Sequence, residues 1–182
     1  MSGPRVVGLA EIELASGGIF PIKEPWRADF TVGDVALGLS NICRFGGQVP
    51  RFYSVAEHSV HCSYHVPPHL ALSALCHDAA EAFLGDIPTP IKALLPAYKD
   101  LERMAESVVL PKLGARYPIP SMVKEADRRL LATEKLQVLG SLAVWPSLVG
   151  VALAPVRIEF WAPRRAARAW LARFDALGGV IF

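Results

Sequence analysis

The feature that most constrains the fold is a strongly apolar stretch, residues 69–84, with a histidine and an aspartate in its middle. Its run of leucine and alanine predicts a central helix over the whole stretch, ended by Gly85. His77 and Asp78 are adjacent in it, and burying two ionisable groups in an apolar helix is costly unless they are paired or bind a metal. The stretch therefore predicts either a structural His–Asp pair or a metal site in the core.

Apolar periodicity predicts that most of the chain is helical. Besides the central helix, we expect helices at about residues 31–43, 55–65, 97–113, 121–139 and 163–177. Thr31 is the expected N-cap of the first of these. Two short β-branched runs around Ser-Gly-Gly in residues 6–22 predict a hairpin. The predicted fold class is all-α, a bundle of five to six helices with a small N-terminal β-hairpin.

Composition narrows the class of protein further. With 52% hydrophobic and 20% charged residues the chain is globular, and its net charge of +2 is too small to indicate a nucleic-acid partner by itself. Three cysteines without a CxxC pair favour a reducing compartment, so we expect a cytoplasmic protein. The apolar residues 139–160 are interrupted by glycine and proline, which argues against a membrane span, and no signal peptide is expected at the N-terminus.

Two further residues could join the central pair to form a metal site. His58 lies on the preceding predicted helix, and Asp127 lies on the helix that begins near Ser121. Two imidazoles and two carboxylates suit a divalent ion with water in its open positions. Such an ion lowers the pKa of a bound water and polarises a phosphoryl oxygen, which is what hydrolysis of a phosphate ester requires.

Longer motifs surround these four residues. They are NICRFGG, HSVHCSYHV, LSALCHDAAEAFLGDIPTPIK and KEADRRLLATE. Together they resemble the HD-domain metal-dependent phosphohydrolases, in particular the YfbR-like 5'-deoxynucleotidases and their phage relatives. The resemblance covers about residues 31–137, and the ending IEFWAPRRAARAWLARF is similar to phage-encoded members. It implies a single HD domain over residues 1–182, made of the hairpin 6–22, an HD core 31–139 and a C-terminal extension 140–182.

The resemblance also implies roles for individual residues. The family pattern H…HD…D corresponds to His58, His77, Asp78 and Asp127, which would bind one divalent ion: Mn, Co, Zn, Fe or Mg. The family position of Glu81 activates the attacking water or assists proton transfer.

Substrate contacts are implied in the same way. Asp86 would contact the sugar hydroxyl or the leaving oxygen, and Arg44 would bind the substrate phosphate with a planar, bidentate donor. Phe45 takes a family aromatic position that packs on the sugar or base. Lys92 would reach a phosphate tail, or else is a solvated lysine.

Three functions stay open. The first is a phosphohydrolase that cleaves the 5'-phosphate ester of a deoxynucleoside monophosphate. The second is a dATPase-like triphosphohydrolase that releases tripolyphosphate, and the third is a non-catalytic nucleotide-binding HD module. His77 is the last histidine in the chain, which excludes the binuclear HD phosphodiesterases. The expected partners are a deoxynucleotide and further copies of the chain in a homo-oligomer, with no stable nucleic-acid complex and no membrane.

Several other charged residues have more than one interpretation. Glu125 and Glu134 flank Asp127 on its helix, where they would support a metal ligand or form salt bridges with Arg128 or Arg129. The arginines of the C-terminal helix indicate a solvated face or an anion-binding surface. Cysteines next to the candidate ligands lack the paired spacing of a zinc site, so we expect them to be small buried hydrophobes.

Overall fold

The computed structural model describes residues 7–180, and the all-α class with an N-terminal hairpin is confirmed. The strands are β1 (Glu11–Glu13) and β2 (Ile19–Pro21). The α-helical segments within residues 7–180 are α1 (Val32–Asn41), α2 (Val55–Ser63), α3 (Ala71–Cys76), α4 (Glu81–Leu84), α5 (Thr89–Lys92), α6 (Pro96–Lys112), α7 (Ser121–Gln137) and α8 (Pro163–Ala176). The strands are antiparallel, with Ile12 opposite Phe20. Residue 6, the expected start of the hairpin, and residues 181 and 182 of the expected C-terminal extension lie outside the described residues.

The prediction of one continuous helix over residues 69–84 is wrong in one respect, because the helix is interrupted at the His–Asp pair. Helix α3 ends at Cys76, and α4 begins at Glu81. Between them the amide of Ala79 donates to the carbonyl of Cys76 at 2.8 Å. This hydrogen bond to residue i−3 is typical of the tighter 3₁₀ turn. Neighbouring side chains on a regular helix point in different directions, whereas here the side chains of the adjacent His77 and Asp78 approach each other to 3.2 Å. The short helix α5 is not among the expected helices.

Side-chain caps define the starts of the first two long helices. The Thr31 hydroxyl accepts from the Asp34 amide and the Asp34 carboxylate accepts from the Thr31 amide, so the expected N-cap of α1 is confirmed as a capping box. Ser54 caps α2 by accepting from the Glu57 amide, and it also forms a β-bridge with Cys43. This bridge closes the loop 44–53, which carries Arg44, against the start of α2.

The C-terminal helix α8 completes the core by packing on α1, α2 and α3. Its apolar face, Ala166, Trp170 and Phe174, is buried, and the Trp170 indole donates to the carbonyl of Leu75 at 3.2 Å. Arg164, Arg165 and Arg168 are exposed, so the helix is amphipathic. None of the helices within residues 7–180 combines the length and the apolarity needed to cross a bilayer.

Candidate functional site

Four side chains from three parts of the chain converge on one point. His58 comes from α2, His77 and Asp78 from the turn between α3 and α4, and Asp127 from α7. The Nε2 atom of His58 lies 3.3 Å from Nε2 of His77, 3.6 Å from an Asp78 oxygen and 3.2 Å from an Asp127 oxygen. His77, Asp127 and His58 have ligand atoms that all lie within 4.8 Å of one another, which is the spacing of a metal site. The structure therefore brings the four expected ligands together.

The orientation of both imidazoles fits a bound cation. Nδ1 of His58 lies 2.6 Å from Glu134 Oε1, and Nδ1 of His77 lies 2.7 Å from the Ala74 carbonyl. Both partners are acceptors, so each Nδ1 donates its proton to its partner and each Nε2 faces the centre, where a neutral imidazole presents a lone pair. Two lone pairs that face each other beside two carboxylates repel unless a positive charge lies between them. The donor set of two nitrogens and two oxygens therefore fits a divalent metal ion.

The charges around His58 also favour a cation at this point. Burial and the nearby Arg44 disfavour protonation of His58, but Glu134 and Asp127 outweigh them and raise its pKa to about 10. Burial opposes ionisation of Asp127, yet its hydrogen bond to His58 and the charges nearby hold the pKa of its carboxyl below the usual range. The site therefore attracts a positive charge, which a proton or a divalent ion supplies.

A fully buried carboxylate, Glu134, connects the metal centre to the expected phosphate-binding arginine. Its Oε1 accepts from the Tyr53 hydroxyl at 2.6 Å in addition to His58, and its Oε2 accepts from Arg44 at 3.0 Å. A further guanidinium nitrogen of Arg44 lies 3.7 Å from Asp78. Nε of Arg44 is buried and lacks a hydrogen-bond partner among the described residues, so this N–H donor is unpaired.

Glu81 lies at the start of α4, one turn beyond His77. Burial, reinforced by the charges of Asp78 and Asp86, raises the pKa of its carboxyl well above the ordinary value. Asp86 follows the turn at Gly85, and burial together with the Asp78 charge raises its pKa against the influence of Arg44. Both acids therefore face the same negatively charged site.

Comparisons with known proteins agree with this geometry. A family model described as 5'-deoxynucleotidase YfbR-like matches residues 48–121, a range that includes His58, His77 and Asp78. The Escherichia coli (strain K12) protein YfdR is 40% identical over 168 residues, which are 91% of this chain and 94% of YfdR. The chain belongs to the YfbR-like family. Two 5'-deoxynucleotidases match over shorter segments: that of Pasteurella multocida is 45% identical over 51 residues, 26% of each chain, and that of Vibrio atlanticus is 38% identical over 55 residues, 28% of each chain.

The aromatic position beside the arginine of this YfbR-like chain has an unusual backbone. Phe45 has φ +59°, a left-handed conformation that non-glycine residues seldom adopt. Its ring centroid lies 5.6 Å from the Arg44 guanidinium carbon and 6.5 Å from the ring of Trp145. This strained conformation places the Phe45 ring next to Arg44, as the resemblance implies. The ring of Trp145, from the C-terminal part of the chain, lies beside it.

Sequence reasoning missed two residues that support the site. Tyr53 is fully buried and reaches Glu134, but the sequence has no motif that marks it. Glu57 is also fully buried, and its carboxylate accepts the backbone amides of residues 159–161 at 2.6–3.0 Å. This contact attaches the C-terminal segment to α2 on the turn before His58. Glu57 stands directly before His58 in sequence, which could have drawn attention to it.

Other candidate residues stay outside the metal centre. Glu125 pairs with Arg128 at 3.5 Å on the surface, so of the two flanking glutamates only Glu134 supports a ligand. Cys62 is buried next to the site, and burial raises the pKa of its thiol well above the ordinary value. A protonated thiol is a poor metal ligand, which agrees with its expected role as a small buried side chain.

Proposed function

We propose that the protein is a metal-dependent phosphohydrolase that cleaves the 5'-phosphate ester of a deoxynucleoside monophosphate to nucleoside and phosphate. The observation that carries the proposal is the convergence of two imidazole nitrogens and two carboxylates beside a buried arginine with a free donor. Metal ligands and a phosphate-binding group within one site are the requirements for hydrolysis of a phosphate ester. Membership of the YfbR-like family and the two 5'-deoxynucleotidase relatives support this substrate class.

His58, His77, Asp78 and Asp127 would hold the ion. When bound, a divalent ion polarises a phosphoryl oxygen and lowers the pKa of a coordinated water. The chain prepares the ligands for that role, because Glu134 and the Ala74 carbonyl fix both histidines in the tautomer that leaves Nε2 free.

Arg44 neutralises the phosphate. Its guanidinium is buried between Glu134 and Asp78, so it is held in place before substrate binds. Such preorganised donors stabilise the charge that develops on the equatorial oxygens without reorganisation during the reaction. The partners that hold Arg44 in place also keep it protonated: burial opposes its charge, but Glu134, Asp86 and Asp78 raise its pKa.

Glu81 serves in proton transfer, and Asp86 in substrate contact. Oε2 of Glu81 is buried and has no hydrogen-bond partner among the described residues, and the charges of Lys92 and Arg44 oppose the rise in the pKa of Glu81 and favour the ionised form that accepts a proton from the attacking water. Asp86 lies beside Asp78 and Arg44 and would contact the leaving 5'-oxygen or the sugar hydroxyl. Phe45 supplies an apolar surface for the sugar or base next to Arg44.

The test is release of nucleoside from a panel of deoxynucleoside monophosphates, ribonucleoside monophosphates and deoxynucleoside triphosphates. Each reaction contains Mn²⁺, Co²⁺ or Zn²⁺, with EDTA as the control. We expect release from the deoxynucleoside monophosphates, loss of release with EDTA, and loss in Asp78→Asn. Asp175→Asn is the matched control, because that aspartate is exposed on α8, away from the candidate ligands.

Two outcomes would overturn the proposal. Release of nucleoside with intact tripolyphosphate from triphosphates alone would assign the triphosphohydrolase activity instead. Binding of nucleotides without turnover under any metal would make the protein a nucleotide-binding HD module.

A further inference from the structure

Lys92 is part of a chain of three charged side chains that leads away from the metal centre. Its Nζ lies 3.3 Å from Oε1 of Glu81 and also forms an ion pair with Oε1 of Glu102. The side chains of Glu81, Lys92 and Glu102 are only 11%, 19% and 15% exposed, so this is not a solvent-screened surface pair. The ammonium therefore lies between two largely buried carboxylates.

The two oxygens of Glu81 differ in their surroundings. Oε1 contacts Lys92, whereas Oε2 is buried and has no hydrogen-bond partner among the described residues. A buried carboxylate oxygen normally has a donor, so an unpartnered one indicates a place where a ligand or a reacting water binds. Contact at one oxygen determines the direction in which the other points.

Two of the three N–H donors of the Lys92 ammonium already have carboxylate partners, Glu81 and Glu102. If the ammonium moved to a phosphate, Glu81 and Glu102 would remain as partly buried carboxylates without their shared cation. Burial and the charges of Asp78 and Asp86 already disfavour the ionised form of Glu81. The contacts thus favour a supporting role over the expected contact with a phosphate tail.

We propose that Lys92 is a positioning residue, and that Glu102 on α6 is its anchor. Lys92 holds Oε1 of Glu81, so that Oε2 is directed at the water that attacks the phosphate. Helix α6 supplies none of the four expected metal ligands. It acts in the reaction through Glu102, which holds Lys92 in place. This inference rests on the proposed function, because it gives Glu81 the task of accepting the proton of that water.

The test compares kcat and KM of Lys92→Met, Lys92→Arg and a matched control. Lys99→Met is the control, because Lys99 is exposed on α6. A general base contributes about 10²–10⁴-fold. We expect Lys92→Met to lose part of that, about 10–100-fold in kcat, with KM changed less than about threefold. Lys92→Arg keeps the cation and should recover most of the loss, and Lys99→Met should match the wild type.

Glu102→Gln tests the anchor. We expect it to lower kcat about 3–10-fold with little change in KM, and the double variant Lys92→Met/Glu102→Gln to lose no more than Lys92→Met alone. A rise in KM of about tenfold with unchanged kcat in Lys92→Met would assign Lys92 to phosphate binding and overturn the proposal. A kcat of Glu102→Gln equal to that of the wild type would remove Glu102 from it.

A second measurement separates this inference from the proposed function. The denaturant midpoints of Glu81→Gln, Lys92→Met and the double variant report the contact without any turnover. If the contact exists, the double variant loses less than the sum of the single variants. Additive losses would overturn the inference even in an active enzyme. A wild type that does not turn over nucleotides would refute the proposed function, while non-additive midpoints would still show that Lys92 holds Glu81.

Discussion

Replacing Glu134 by glutamine tests the buried network that joins the candidate metal site to Arg44, the proposed phosphate-binding residue. The substitution keeps the size of the side chain but removes its charge and turns one acceptor into a donor. Glu134 is fully buried, and its two oxygens accept hydrogen bonds from Arg44, Tyr53 and His58. In glutamine an NH2 group replaces one of these oxygens, so it would point its own hydrogens at one or more of these donors. Arg44 would also lose its closest counter-charge.

The magnitude follows from the pKa of Glu134. Burial opposes its ionisation, but Arg44 and His58 lower the pKa from 4.5 to about 2. That difference corresponds to about 3 kcal/mol in favour of the folded state at neutral pH. Because the folded-state pKa is depressed, this contribution is complete above pH 4.5 and is lost as the pH falls towards about 2. Removing one partner of a buried ion pair costs about 3–5 kcal/mol, which agrees with this value.

Urea unfolding and metal titration measure the two consequences. We expect Glu134→Gln to lower the free energy of unfolding by about 3 kcal/mol at pH 7 and by much less near pH 2. Since Glu134 orients His58, metal affinity should fall about 10–100-fold in competition with a chelator. Glu125→Gln is the control on the same helix. Its exposed pair with Arg128 is worth about 1 kcal/mol or less.

A Glu134→Gln variant that loses less than about 1 kcal/mol of unfolding free energy and binds metal as the wild type does would refute this role of the buried carboxylate. An equal loss at pH 7 and near pH 2 would show that the charge of Glu134 is not the cause. A loss in Glu125→Gln similar to that in Glu134→Gln would also contradict the argument, because only the buried carboxylate contacts the site.

Two further predictions concern packing and metal binding. At Gly38 on α1 an added Cβ would lie 2.8 Å from Cβ of Ala82 on α4. Gly38→Ala should therefore lower the free energy of unfolding in urea by about 1–3 kcal/mol. It should also lower kcat, because it moves the helix that carries Glu81. Gly33→Ala, whose nearest atom is at 3.4 Å, should be neutral, and equal losses in both variants would contradict the packing argument. Asp127→Asn should lower metal affinity and activity about 100-fold or more, and EDTA should remove the remaining activity. If this variant keeps wild-type activity at limiting metal, Asp127 is not a ligand.

Much of the fold and the His–Asp pair of the candidate metal site could be predicted because their signals are local. Apolar residues recur at helical spacing in α1, α6, α7 and α8, and the helix bounds agree with the expected ones to within a few residues. The adjacent His77 and Asp78 stand out because an apolar stretch rarely contains two ionisable groups. The break between α3 and α4 could not be predicted in this way, because backbone hydrogen bonds to residue i−3 do not change the spacing of apolar residues.

The supporting residues were decided only by tertiary structure. Glu134 lies 76 residues from His58 and 90 from Arg44 in sequence, and the spacing of its own helix allowed a surface salt bridge equally well. Lys92 was expected either to reach a phosphate tail or to be a solvated lysine, and its ion pair with Glu102 joins it to a helix without a recognised motif. By itself the sequence determined the helices and singled out His77 and Asp78, since periodicity and a buried His–Asp pair act over one or two turns, while the resemblance to the HD family added His58 and Asp127 as expected ligands. The buried contacts that orient those ligands depend on which distant side chains meet when the helices pack, and no local pattern contains that information.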